Sequence, residues 1–285
     1  IQDSNTSTPH NFNPYCKDSA WHIDMWKLDK DGSEIVSGGV ITGGGGDFFH
    51  NDGGGVLVNA GGTLTMTGGS IVGCSAGGLG GGVRLAYDSA IGKNSTFTMT
   101  GGNIIGCAAK NGGGVSISPR STFTMGSGSE IRNCNALSGG GGVDISALWN
   151  SNIIGCFIMN GGTIRTCTGL YGGGVYNKGT FELSGGTISG NSAAQGGGVY
   201  SWGSGATFTM SGGVIGGTKE NSVNTAEYYG GGVSNQSDST FTMSGGLIAG
   251  NTVTASNIGA GGGVFNNATF TMSGGKIGGS EAGKN

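Results

Sequence analysis

The residues best equipped for chemistry are six cysteines, three histidines and sixteen carboxylates, and their spacing argues against a catalytic centre. The histidines stand at positions 10, 22 and 50, away from any Ser/His/Asp grouping. No Cys-x-x-Cys or Cys/His cluster suggests zinc. A polysaccharide hydrolase or lyase would need two carboxylates on one face. Asp144 is instead expected between Ser116 and Tyr176, and Glu182 on another face between Ile158 and Thr209, both as solvated surface charges. The expectation is a non-enzymatic chain without cofactor or metal.

Four cysteines are evenly placed. Cys74, Cys107, Cys134 and Cys167 each follow an isoleucine of a repeated motif by three residues, where later units carry Asn191 and Asn251. Stacked about 4.8 Å apart, they could form the bridges Cys74–Cys107 and Cys134–Cys167, each closing a loop of about 33 residues. Such a bridge is worth roughly 3–4 kcal/mol by chain entropy. A column of buried thiols is the alternative. Cys16 and Cys156 are left free or available for pairing between chains. Six cysteines without a metal motif favour an oxidising, extracellular compartment.

The elements that position these residues are set by a repeat. Gly-Gly-Gly-Val recurs with its valine at 56, 83, 115, 143, 175, 199, 233 and 264, a period of about 30 residues. Each corner is followed by a strand such as Thr96-Phe97-Thr98-Met99, whose period of two points Phe and Met inward. The same pairing recurs from Leu64/Met66 to Phe270/Met272. A Gly-Gly-x-Ile strand comes next, with Ile71, Ile104, Ile131, Ile164, Ile188, Ile215, Ile248 and Ile277 as a second ladder. Three short strands, each with one apolar side, bury that side only by winding around a common interior. The predicted fold is an all-β, right-handed parallel β-helix (β-solenoid), with three strands per coil and eight to nine coils. The expected domain spans 34–285, with residues 1–33 as a cap or attachment segment.

The ladders change along the chain. Two residues after each corner valine stand Val58, Leu85, Ile117 and Ile145, then Asn177, Ser201, Asn235 and Asn266, so the later core is expected to hold stacked, mutually hydrogen-bonded polar groups. Outward, Thr63/Thr65, Thr96/Thr98, Thr122/Thr124, Thr207/Thr209, Thr240/Thr242 and Thr269/Thr271 form two rows, interrupted by Cys156/Ile158 and Glu182. These rows resemble the Thr-x-Thr arrays of β-solenoid ice-binding proteins, and threonine's β-propensity is the alternative account. Tyr171, Tyr176, Tyr200, Trp202, Tyr228 and Tyr229 lie near the later corners and suggest either surface stacking that stiffens the rod or an exposed platform for sugar rings or a protein partner. Asn5, Asn94, Asn235 and Asn267 begin Asn-x-Ser/Thr triplets.

Composition narrows the partners. Sixty-eight glycines with three prolines lack a Gly-x-y register and mark corners. A net charge of −3, with no basic run, argues against nucleic acid and anionic membrane. No apolar run reaches the ~20 residues of a membrane span.

Gly-Gly-Gly-Val-Tyr-Asn at 172–177 and Thr-Phe-Thr-Met-Ser-Gly-Gly-Leu-Ile-Ala-Gly-Asn at 240–251 resemble the glycine-rich repeats of bacterial secreted and cell-surface β-helix proteins, adhesin-like and polymorphic outer-membrane-type proteins among them. The resemblance implies an exported protein used for adhesion or as a surface scaffold. After Ile277 a further corner would be due, and two expectations fit: the chain is a piece of a longer array, or an uncapped end docks on the next copy, head to tail. Trp21, Ile23, Met25, Trp26 and Leu28 would supply the complementary surface. A glycan-binding adhesin is the alternative expectation, and an ice-binding protein a further one.

Overall fold

The structure, a computed structural model, describes residues 10–12, 34–36, 39–42, 52–88, 92–148, 153–217, 222–256 and 259–278. Cys16 and the proposed attachment residues Trp21, Ile23, Met25, Trp26 and Leu28 lie outside them. So do His22, His50 and Asn5. Near the start, His10–Phe12 pairs antiparallel with Glu34–Val36.

The rest is an all-β parallel solenoid of about seven turns. Corner strands pair in register along the whole chain, with Val56, Val83, Val115, Val143, Val175, Val199, Val233 and Val264 in one line. The Phe/Met strands and the Ile strands form two further columns, the latter running from Ile41 to Ile277. The three expected strands of each coil are therefore present. No helix occurs among the described residues, so none is long and apolar enough to cross a membrane.

Alternation decides what is buried. Phe97, Met99, Phe123 and Met125 are at most 1% exposed, whereas the intervening threonines reach solvent. In-register stacking puts like on like: Phe97, Phe123, Phe157, Phe181, Phe208, Phe241 and Phe270 stack face to face with centroids 4.5–5.1 Å apart. That spacing is the strand separation of a sheet. One continuous core runs from Val58 to Ile248.

A fourth, lateral sheet joins the three. It comprises Ala108–Ala109, Asn135–Ala136, Thr168–Tyr171, Ser192–Gln195, Thr225–Tyr229 and Thr252–Val253, paired in parallel. Its inward row is small: Ala109, Ala136, Ala193 and Ala226 are at most 8% exposed. Strands this short, with Ala or Gly along most of the inward row, have no apolar alternation to announce them.

The corner glycines have two separate tasks. Gly80 adopts φ 71°, which reverses the chain and is open to glycine at little cost. Gly82 packs so tightly that a Cβ there would lie 2.7 Å from the Gly114 carbonyl and 2.7 Å from Ile104 Cγ2.

Candidate functional site

The reversal at the first corner glycine folds the end of each lateral strand back over the outer side of the corner sheet. Two rows of side chains meet there. One is the outward corner position: Arg84, Ser116, Asp144, Tyr176, Tyr200, Ser234 and Phe265 in register. The other precedes the glycines and includes Asp52, Asn111, Gly139, Tyr171, Gln195 and Tyr229. The rows interlock as a seam along the rod.

The seam changes chemistry from coil to coil. At its start Arg84 Nε lies 3.6 Å from Asp52 Oδ2, within ion-pair range but beyond a hydrogen bond, and Arg84 Nη1 donates to Ser116 Oγ at 2.9 Å. Burial lowers the guanidinium pKa, against the opposing pull of Asp52 and Asp144. Toward the far end, Gln236 Nε2 donates to Gln195 Oε1 at 2.7 Å and to Ser234 Oγ at 2.8 Å, and Tyr229 stacks on Phe265 at 4.6 Å.

Asp144 corrects the sequence expectation. It stands between Ser116 and Tyr176 as anticipated, yet it is 1% exposed, because the seam closes over it. Its Oδ2 accepts from Ser146 Oγ at 3.0 Å, and its buried Oδ1 has no hydrogen-bond partner among the described residues. Burial raises its pKa; Lys178, Ser146, Arg84 and the Gly140 amide pull the other way. Glu182 does sit between Ile158 and Thr209, and is exposed.

The aromatic residues divide. Tyr171, Tyr176 and Tyr200 come together with centroids 5.1–6.0 Å apart, and Lys178 Nζ lies 4.7 Å from the Tyr176 centroid. Tyr200 is only 6% exposed beneath its neighbours, so it is not the exposed platform residue expected of it. Burial raises the Tyr200 phenol to about 12, with Tyr171 adding to it, and raises Tyr176 further, with Asp144 contributing. Tyr228 and Tyr229 form a second group with Phe265, which the sequence reading missed. Trp202 pairs in register with Gln236.

The Thr face is as regular as expected and one residue longer. Thr63, Thr96, Thr122, Cys156, Thr180, Thr207, Thr240 and Thr269 form one row, and Thr65, Thr98, Thr124, Ile158, Glu182, Thr209, Thr242 and Thr271 the other. Thr180, missed in the sequence, leaves Cys156 as the one interruption of the first row. Hydroxyls bond along it, Thr96 to Thr63 at 3.0 Å and Thr207 to Thr180 at 3.4 Å. Cys156 is half-buried on this face, its thiol raised to about 11 by burial and then by Glu182.

Cys74, Cys107, Cys134 and Cys167 do stack in one buried column, but as thiols rather than as the expected bridges. Strands in parallel register aim their Cβ atoms the same way, which sets the sulfurs side by side instead of across from one another. Each sulfur has two carbonyl acceptors in range, that of the residue two positions before it at 3.3–3.5 Å and an isoleucine carbonyl of the preceding coil at 3.8–3.9 Å. Burial raises the Cys107 and Cys134 thiols. Asn191, Asn224 and Asn251 continue the column, and Asn191 Nδ2 donates to the equivalent Ile164 carbonyl at 3.1 Å. Asn224, unrecognised in the sequence behind a longer loop, links its neighbours: it accepts from Asn191 Nδ2 at 3.0 Å and donates to Asn251 Oδ1 at 2.9 Å.

The polar inner ladder is structural. Asn177 Nδ2 donates to Ser201 Oγ at 3.3 Å and to the Thr207 carbonyl at 3.0 Å, and Asn235 Nδ2 to Asn266 Oδ1 at 2.7 Å. Asn235 is therefore fully buried and unsuited to glycosylation. Among the described residues no group of three His, Cys, Asp or Glu could hold a metal ion. Compared with known proteins, this β-solenoid repeat chain matches no family model, and no curated protein or solved structure is significantly similar to it.

Proposed function

We propose that the chain is a non-enzymatic structural protein of the cell surface or extracellular space, a stiff scaffold in the manner of secreted β-helix and adhesin-like repeat proteins. One observation carries this reading: a single core of in-register ladders runs through every described coil, with its buried polar columns hydrogen-bonded along the axis. Such an array resists bending because each coil contacts its neighbours over its whole perimeter. The sequence and the seam put the more variable residues outside that core, where a partner would meet them.

In this reading the rod associates end to end. At the last coil Met272 is 44% exposed, Phe270 and Ile277 are half-buried, and the outer edge of Val264–Met272 has no strand partner among the described residues. In the proposed fibre this edge would pair with a strand of the next copy. Negative-stain electron microscopy over a concentration series tests the proposal. Fibres with a solenoid's width support it, and single short rods at every concentration refute it.

A second reading rests on the Thr face. Two in-register rows, with Thr180 extending one and interrupted by Cys156 in it and by Ile158 and Glu182 in the other, present hydroxyls at the coil period to an ordered lattice such as ice. Thermal hysteresis or inhibition of ice recrystallisation, lost on replacing Thr209 and Thr242 by Tyr, would establish it. Absence of both activities in the unaltered protein removes it.

A further inference from the structure

Among the described residues Asp144 is the one buried carboxylate, and its surroundings fail to complete it. Oδ2 is held by Ser146, but Oδ1 is enclosed without a well-formed hydrogen bond, the Gly140 amide being the backbone donor beside the carboxyl. The space beside it is defined by Gly139. A Cβ on Gly139 would lie 2.6 Å from Asp144 Oδ1 and 2.9 Å from Asn111 Oδ1, so two oxygen acceptors converge on one point where only glycine fits. Both acceptors border the same crowded point, and acceptors that face each other there repel unless a hydrogen lies between them.

We propose that Asp144 is a proton-binding latch in the seam: its carboxyl carries a proton on Oδ1, directed at the amide oxygen of Asn111, and loss of that proton to solvent loosens the seam around Gly139. The groups facing the carboxyl are known from each neighbouring strand. Ser116 and, one coil farther, Arg84 lie on one side; Tyr176 and Lys178 lie on the other; Asn111, the Gly140 amide and Ser146 complete the surround. The two cations favour the anion, but Arg84 is engaged with Asp52 and Ser116, and Lys178 lies over Tyr176. Burial prevails, and the proton affinity of Asp144 is raised.

The linkage has a definite sign. A carboxyl that binds its proton more tightly when folded contributes stability that is fully present below the unfolded value near 3.9, and that is lost as pH rises through the folded value. An amide in place of the acid, Asp144→Asn, retains a donor for Asn111 and cannot ionise. The variant is expected to melt with the unaltered protein in acid and several degrees higher at about pH 8, some four units above the ordinary carboxyl value. Amide exchange around 138–146, corrected for its intrinsic pH dependence, should speed up on ionisation only in the unaltered protein.

The direct measurement is the infrared difference spectrum between the unaltered protein and Asp144→Asn. A protonated-acid carbonyl band that persists as pH is raised above the ordinary carboxyl value near 3.9 is the expected result. Absence of that band overturns the proposal and identifies the other arrangement, in which the Asn111 amide is turned over and donates from Nδ2 to an ionised carboxylate. A variant less stable than the unaltered protein at about pH 8 overturns it too, by showing that the charge is stabilising. So does a calcium-dependent rise in melting temperature that Asp144→Asn abolishes, since a cation would then occupy the point assigned to the proton. Asn111→Ala provides a second variant should Asp144→Asn fold poorly: removing the acceptor should weaken the acid band, and an unchanged band sinks the pairing with Asn111.

Discussion

Tyr171 and Tyr200 bring their ring centroids to 5.1 Å, although Tyr171 ends a strand of the lateral sheet and Tyr200 stands on the corner strand of the following coil. The reversal at Gly172, φ 64°, makes the meeting possible. Tyr200 thereby becomes a packing residue, and Tyr171 and Tyr176 are left as the accessible part of the cluster. Replacing Tyr200 by Ala should cost about 2–4 kcal/mol, the range of a large side chain lost from a mostly closed site. Tyr176→Ala should cost less. If the cluster also binds glycans, Tyr176→Ala abolishes glycan-array signals while the protein stays folded, and signals that persist show that the sugar binds elsewhere.

The Phe stack predicts a gradient. Phe157 and Phe181 are fully buried with rings on both sides, whereas Phe270 is half-buried and stacks on one side. Phe157→Ala should destabilise by about 3–5 kcal/mol and Phe270→Ala by clearly less. Hydrogen exchange read coil by coil is the suitable measurement, because solenoids open locally. Equal losses at the two sites would contradict the stack's role.

Asn224 joins the amide column from both directions. Asn224→Ala removes its bonds to Asn191 and Asn251 and leaves buried polar atoms without partners, a loss of about 2–3 kcal/mol. Thermal unfolding checks it, and an effect below about 0.5 kcal/mol, the level of an ordinary surface change, would mean that the column relaxes around the gap.

Thiol reactivity should follow the fold. Cys156, half-buried and with a thiol near 11, is expected to alkylate slowly and faster as pH rises, since the thiolate is the nucleophile. Cys107, Cys134 and Cys167, at most 1% exposed, should stay unmodified until the protein unfolds. Peptide mapping after alkylation under native conditions distinguishes them. The same map, without reductant, decides whether oxidation ever closes Cys74–Cys107 or Cys134–Cys167.

A close approach between corners gives a fifth prediction. Gly82→Ala would set a methyl 2.7 Å from the Gly114 carbonyl, backbone that neighbouring coils hold in place. A loss of about 1–3 kcal/mol or more is expected in denaturant unfolding. Full tolerance would show that the coils can part locally.

The sequence by itself determined the solenoid, because a period of two within strands and a recurring glycine corner between them leave few ways to bury Phe, Met and Ile. The ladders, the Cys column and the Thr rows followed from that periodicity, since in-register parallel stacking turns sequence position directly into spatial position. Only the tertiary structure decided what lies on either side of a corner. Whether an outward residue such as Asp144 or Tyr200 is exposed depends on the angle at which the lateral strand folds back, and no local pattern encodes it. The lateral sheet was hidden for a related reason: strands of two to five residues, with Ala or Gly along most of the inward row, are ordered by the coils above and below them rather than by their own apolar alternation.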